Sequence, residues 1–137
     1  MKFKLVFIFI LFSLLGYSQE APVPSPKILI KVPLGESTLI KNHTISFIKV
    51  IEDSRCPKGA NCMWAGRAKV LVEISSEEKE TIQKEIVFGK LNLGESDDLE
   101  LFQNNNKKIV AYQLNPYPTS EYTPDSNKYV LLIAVEN

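Results

Sequence analysis

Apolar and polar residues alternate in short runs along most of this chain. Lys27-Ile28-Leu29-Ile30-Lys31-Val32 sets Ile28, Ile30 and Val32 on one face and the two lysines on the other, the two-residue period of a half-buried strand. Pro33 to Glu36 reads as a turn and Ser37 to Lys41 as a short strand. Thr44 to Ile51 carries Ile45 and Phe47 in one phase and Ile48 and Val50 in the other. A change of phase inside a strand predicts a bulge or burial on both faces. Arg67 to Ile74 alternates cleanly through Ala68, Val70, Val72 and Ile74. Ser75 to Glu80 reads as a solvated connection, and Thr81 to Phe88 as the returning strand.

Gly89 to Asp98 is turn-rich. A short segment follows around Leu99 to Phe102, although Asp97 to Gln103 could also form one helical turn. Asn104-Asn105-Asn106 is a turn. Lys108 to Leu114 and Tyr129 to Val135 are the last strong strands, and the final one is apolar on both faces, as a central strand is. Between them Asn115 to Asp125 contains three prolines, so it cannot be a central strand, and its length marks a long loop. Seven or eight short strands, no sustained helical period and no internal repeat predict an all-β fold. An antiparallel β-sandwich of immunoglobulin-like size is the expected form, with a small β-barrel as the alternative.

The first residues change the picture of where this domain works. Lys2 and Lys4 precede an apolar run from Leu5 to Leu15, followed by Gly16-Tyr17-Ser18. That is the layout of a cleaved secretory leader over residues 1–18. This run of eleven residues falls short of the ~20 that a membrane-spanning helix needs. Residues 19–26 form a proline-rich linker, with Ala21-Pro22-Val23-Pro24-Ser25-Pro26 at its centre. A single domain is expected over residues 27–137, in a periplasmic or secreted protein with no membrane span once the leader is removed. Without Lys2 and Lys4 the net charge is −2. The chain lacks the basic face that nucleic-acid binding requires.

Both cysteines and the only tryptophan lie within fifteen residues, Glu52 to Gly66. In an exported chain Cys56 and Cys62 are expected to form a disulfide, which clamps Pro57-Lys58-Gly59-Ala60-Asn61 as a protrusion between two strands. Zinc is a poor fit, since a site needs three or four ligands and His43 is the only histidine. Five residues separate the cysteines, unlike the Cys-x-x-Cys of a redox catalyst. No metal and no cofactor is expected. Trp64 can cover the disulfide and close one end of the core, which is the favoured placement, or stand exposed as a platform for a sugar or peptide. Asp53-Ser54 can cap the turn with Arg55 paired to Asp53. Alternatively Arg55 and Lys58 are presented to a partner, as on a protease inhibitor's rigid loop. Gly66 suits a bulge or a close backbone approach.

Catalytic motifs are absent: no Gly-x-Ser-x-Gly, no His-Glu-x-x-His and no phosphate loop. His43, in Asn42-His43-Thr44, reads as an exposed turn residue. Glu95, Asp97, Asp98 and Glu100 read as a solvated acidic loop.

Asp53-Ser54-Arg55-Cys56-Pro57 followed by Cys62-Met63-Trp64-Ala65-Gly66 resembles the signature of small secreted or lipoprotein-type bacterial envelope β domains that have no assigned activity. The resemblance covers these fifteen residues and is loose elsewhere. It implies an envelope or secreted β domain. The lipid-attachment cysteine of many such proteins is missing here, so no lipid anchor follows from it. The expected function is a binding module, in preference to an enzyme, for a protein or glycan ligand of the envelope. The candidate surface comprises Arg55, Lys58 and Trp64, with Tyr117 and Tyr122 from the long loop, while Asp53, Pro57 and Gly66 shape it. A small hydrolase or glycan-acting enzyme using unidentified carboxylates is the alternative.

Overall fold

The computed structural model describes residues 27–77, 79–104, 107–121, 124–125 and 128–136. The expected leader at 1–18, the linker at 19–26 and Tyr122 lie outside the described residues. Eight strands follow in order: β1 (Ile28–Pro33), β2 (Ser37–Ile40), β3 (His43–Asp53), β4 (Arg67–Ser76), β5 (Lys79–Gly89), β6 (Glu100–Asn104), β7 (Lys107–Asn115) and β8 (Val130–Glu136). They form two antiparallel four-stranded sheets, β1-β8-β7-β6 and β2-β3-β4-β5. The two are not closed into a barrel, so the fold is the sandwich. No helix is present among the described residues, and the segment from Asp97 to Gln103 holds no helical turn, since β6 begins at Glu100.

The inner faces meet in one core. Val32, Ile45, Phe47, Val70, Val72, Ile86, Ile109, Leu131 and Ile133 are all fully buried. β4 shows the alternation most cleanly, with Ala68, Val70, Val72 and Ile74 inward. β8 is central, between β1 and β7, and Leu132 and Ala134 are buried on its outer side as well. The β4–β5 hairpin is tighter than its polar sequence suggests, because pairing continues to Ser76↔Lys79. At that solvated end both faces tolerate polar residues, so hydrophobicity gives no sign that the ladder continues.

The phase change in β3 resolves into two bulges. Register shifts fall between Phe47 and Lys49 and between Val50 and Glu52. Each leaves one isoleucine, Ile48 and Ile51, extra in the strand and exposed. A single bulge moves every later side chain to the opposite face. Thus Phe47 opposes Val72, Val50 opposes Val70 and Asp53 opposes Ala68, and all three β4 partners point into the core. The first bulge turns Val50 inward, and the second restores the original phase, so Asp53 lies on the inner face at the end of the sandwich, opposite Ala68.

Candidate interaction site at the disulfide loop

Asp53 would be costly at the end of an apolar core without a partner. Arg55 supplies it. Arg55 Nε donates to Asp53 Oδ1 at 2.8 Å and a terminal nitrogen to Oδ2 at 2.6 Å. The same guanidinium donates to the carbonyls of Leu114 at 2.7 Å and Pro116 at 3.0 Å. Tyr129 Oη donates to Asp53 Oδ2 at 2.9 Å. One buried pair thus ties the end of β3 to the end of β7 and the start of β8. Burial pushes the Asp53 carboxyl up, but hydrogen bonds from Arg55 and Tyr129 and the adjacent positive charge outweigh it and hold the carboxyl below its ordinary value.

This geometry corrects one of the two placements open for Arg55. It is 9% exposed and turned inward, so it is not presented on the loop. Paired with Asp53, it has already committed its planar donor set to the protein's own acceptors.

The loop that follows is held at several points. Ser54 N donates to Arg67 O at 2.8 Å and Cys56 N to Ala65 O at 2.7 Å, closing its base. Cys56 and Cys62 are disulfide-bonded, with their Cα atoms 6.0 Å apart. Inside the clamp, Ala60 N donates to Pro57 O at 3.1 Å, and Gly59, at φ 86°, takes the left-handed position of a type II turn. Gly66 has φ 71°, and a Cβ there would lie 1.8 Å from Ser54 O. Of the two structural roles expected for Gly66, it fills the close approach.

The two loops singled out in the sequence meet here. Lys58 N donates to Pro118 O, and Ser120 N donates to Lys58 O, both at 3.0 Å, forming a short parallel bridge between Lys58 and Thr119. The half-buried Tyr117 ring takes Arg55 at 4.8 Å and Lys58 Nζ at 5.4 Å from its centroid, within cation–π range. Between the sheet ends, Ala65, Phe88, Gln113, Leu114 and Tyr117 line a shallow groove of about 330 Å³.

Trp64 is not the lid of the core. It is 69% exposed, and its neighbour Met63 is 93% exposed. Arg55 and Tyr129 already close that end of the core, so the segment from Cys62 to Ala65 passes outside it, and its large side chains face water. Met63 was missed as a site residue by sequence reasoning. The signal that could have found it is its position between Cys62 and Trp64 in a segment with no alternation.

Residues outside the motif also fall differently from expectation. His43 is the first residue of β3, half-buried and stacked on Phe102 with ring centroids 3.9 Å apart, instead of an exposed turn residue. It lies at the opposite end of β3 from Asp53, about 26 Å away at ~3.3 Å per residue over the paired positions Ser76 to Ala68 of β4, so the two cannot share a catalytic site. Glu95 is not freely solvated either. It accepts from Asn92 N at 2.7 Å and pairs with Arg67 and Lys69, which pins the β5–β6 loop over the outer face of β4. Its carboxyl is held below the ordinary range by the Asn92 backbone N–H first, with Lys69 and Arg67 adding to it against burial. Asp98 pairs with Lys84 and Glu100 with Lys108.

Among the described residues no three His, Cys, Asp or Glu side chains gather as a metal site, and no helix is long and apolar enough to cross a membrane. No protein-family model matches the chain, and no match is found among curated proteins or solved structures.

Proposed function

We propose that this chain is an exported envelope domain that works by binding, with the clamped loop as its working surface. The observation that carries the reading is the exposure of Trp64 and Met63 on a segment fixed by a disulfide and by backbone bonds at its base. A large aromatic held rigid in water loses little entropy on binding and brings much contact area, which is why such residues dominate binding surfaces. Lys58, on the same clamped loop, packs on Tyr117 of the neighbouring loop, and the buried Arg55 anchors the base of the motif. The partner is a protein or glycan of the envelope. The disulfide and the leader-like N-terminus both support an oxidising compartment, periplasmic or extracellular.

Photo-crosslinking in the producing cell tests this. A benzoylphenylalanine at Met63 should give discrete adducts that disappear in Trp64→Ala. The same probe at Leu39, exposed on β2 away from the motif, should give none. Adducts of equal yield at both positions, or at neither, would sink the reading.

A further inference from the structure

We propose that the Cys56–Cys62 bond is itself a site of thiol–disulfide exchange, with Cys62 Sγ the sulfur attacked and a dithiol protein or small dithiol the reactant. Three observations carry this. Cys62 is exposed while Cys56 is half-buried, so an incoming thiolate reaches one sulfur far more readily than the other, and access decides which is attacked. Cys56 Sγ lies 3.8 Å from Pro57 O and 3.9 Å from Ala60 O. Within the disulfide it has no proton to donate to them, but as a released thiol it does. Thirdly, the bond is not the only tie at the loop base. The loop closed by a separation of six residues contributes about 2 kcal/mol in the chain-entropy model. The Arg55–Asp53 pair and the Ser54–Arg67 and Cys56–Ala65 backbone bonds hold the loop base without it.

The chemistry balances as an ordinary exchange. A thiolate of the dithiol attacks Cys62 Sγ, and Cys56 Sγ leaves with the bonding pair and takes up a proton. The second thiol of the reactant then attacks its own sulfur in the mixed disulfide, which releases Cys62. Two electrons and two protons pass to this chain, and the reactant leaves as a disulfide. The chain is a substrate of exchange, consistent with a spacing unlike that of a redox catalyst. Opening the bond frees Pro57 to Asn61, and with it the Lys58 contacts to Pro118, Ser120 and Tyr117. Met63 and Trp64 then stand on an unclamped segment. The exchange stands whether or not the loop is the binding surface, and its test reads sulfur chemistry alone.

The folded, oxidised protein is treated with dithiothreitol at neutral pH, quenched with an alkylating agent and followed by mass. A parallel sample is kept in urea. Native reduction should run within about tenfold of the urea rate. A bond that opened only through global unfolding would be slowed at least about 1,000-fold. Excess glutathione followed by peptide mapping should place the mixed disulfide on Cys62. Far-ultraviolet circular dichroism of the reduced protein, and of Cys56→Ser/Cys62→Ser, should keep the β signature. Suppressed native reduction, an adduct on Cys56 or loss of the β signature on reduction would each overturn the proposal.

Discussion

Asp53 and Arg55, two positions apart in sequence, face each other as a two-point ion pair whose side chains are 9% and 7% exposed. Asp53 keeps the inward phase of Phe47 because the second bulge of β3 undoes the face change made by the first, and the two extra residues set it opposite Ala68. The pair forms only when three separate chain segments converge, since the Leu114 and Pro116 carbonyls and the Tyr129 hydroxyl complete it.

Removing one partner strands the other as a buried charge. Arg55→Ala should lower stability by about 3–5 kcal/mol, read as a shift in the urea midpoint with little change in slope. Arg55→Lys should fall between the two, because one ammonium cannot reproduce the planar pairing and still reach both carbonyls.

The same pair predicts an acid limb in the stability profile. Asp53 titrates below its unfolded value of 3.8. Its contribution is therefore complete above that pH and is lost as pH falls through the lower folded value. Tyr129→Phe removes one of the hydrogen bonds that hold the carboxyl down, so its folded pKa should rise towards the unfolded value. The contribution would then be smaller, and its loss, which starts near the unchanged unfolded value, would be complete at a higher pH. Acid unfolding followed by circular dichroism, with an Asp53 carboxyl titration by NMR, checks both statements. An unchanged Asp53 titration in the variant would refute them.

Gly66→Ala should be among the most damaging single-methyl changes. The left-handed backbone costs roughly 1–3 kcal/mol for a residue with a side chain, and the clash with Ser54 O adds to it. Gly94→Ala, at φ 86° with nothing within 4 Å, meets the conformational cost alone. Denaturation midpoints should therefore fall clearly further for Gly66→Ala than for Gly94→Ala.

Trp64→Ala should change stability by less than about 0.5 kcal/mol, whereas Phe47→Ala, in the centre of the core, should cost about 3–5 kcal/mol. Trp64 is the only tryptophan, so its emission in the wild type should be red-shifted and readily quenched by acrylamide. Blue-shifted, protected emission would contradict the exposed placement.

The architecture was legible because its signal is periodic. The alternation in β4, the two-faced apolarity of β8 and the phase change in β3 all map onto observed features. The disulfide was legible from the isolation of its two cysteines. What the sequence left open depends on which of two satisfiable placements wins. Arg55 and Trp64 stand on the same motif, and only the meeting of the β3, β7 and β8 ends decides which one closes the core. The Glu95 contacts with Arg67 and Lys69 join residues more than twenty positions apart, with no local pattern to announce them. His43 likewise meets Phe102 from another sheet.

The pairing of β1 with β8 bears on how the molecule comes into being. In the sheet that holds both, the last of the eight strands sits between β1 and β7, and β1 has no other neighbour within that sheet. A nascent chain that has emitted everything up to Asn115 thus has β1 waiting with no ladder to join, and half its core lacks a floor. Such contacts across nearly the full chain length make assembly slow and all-or-none. A polypeptide of this topology cannot complete the β1 sheet until its final strand is free.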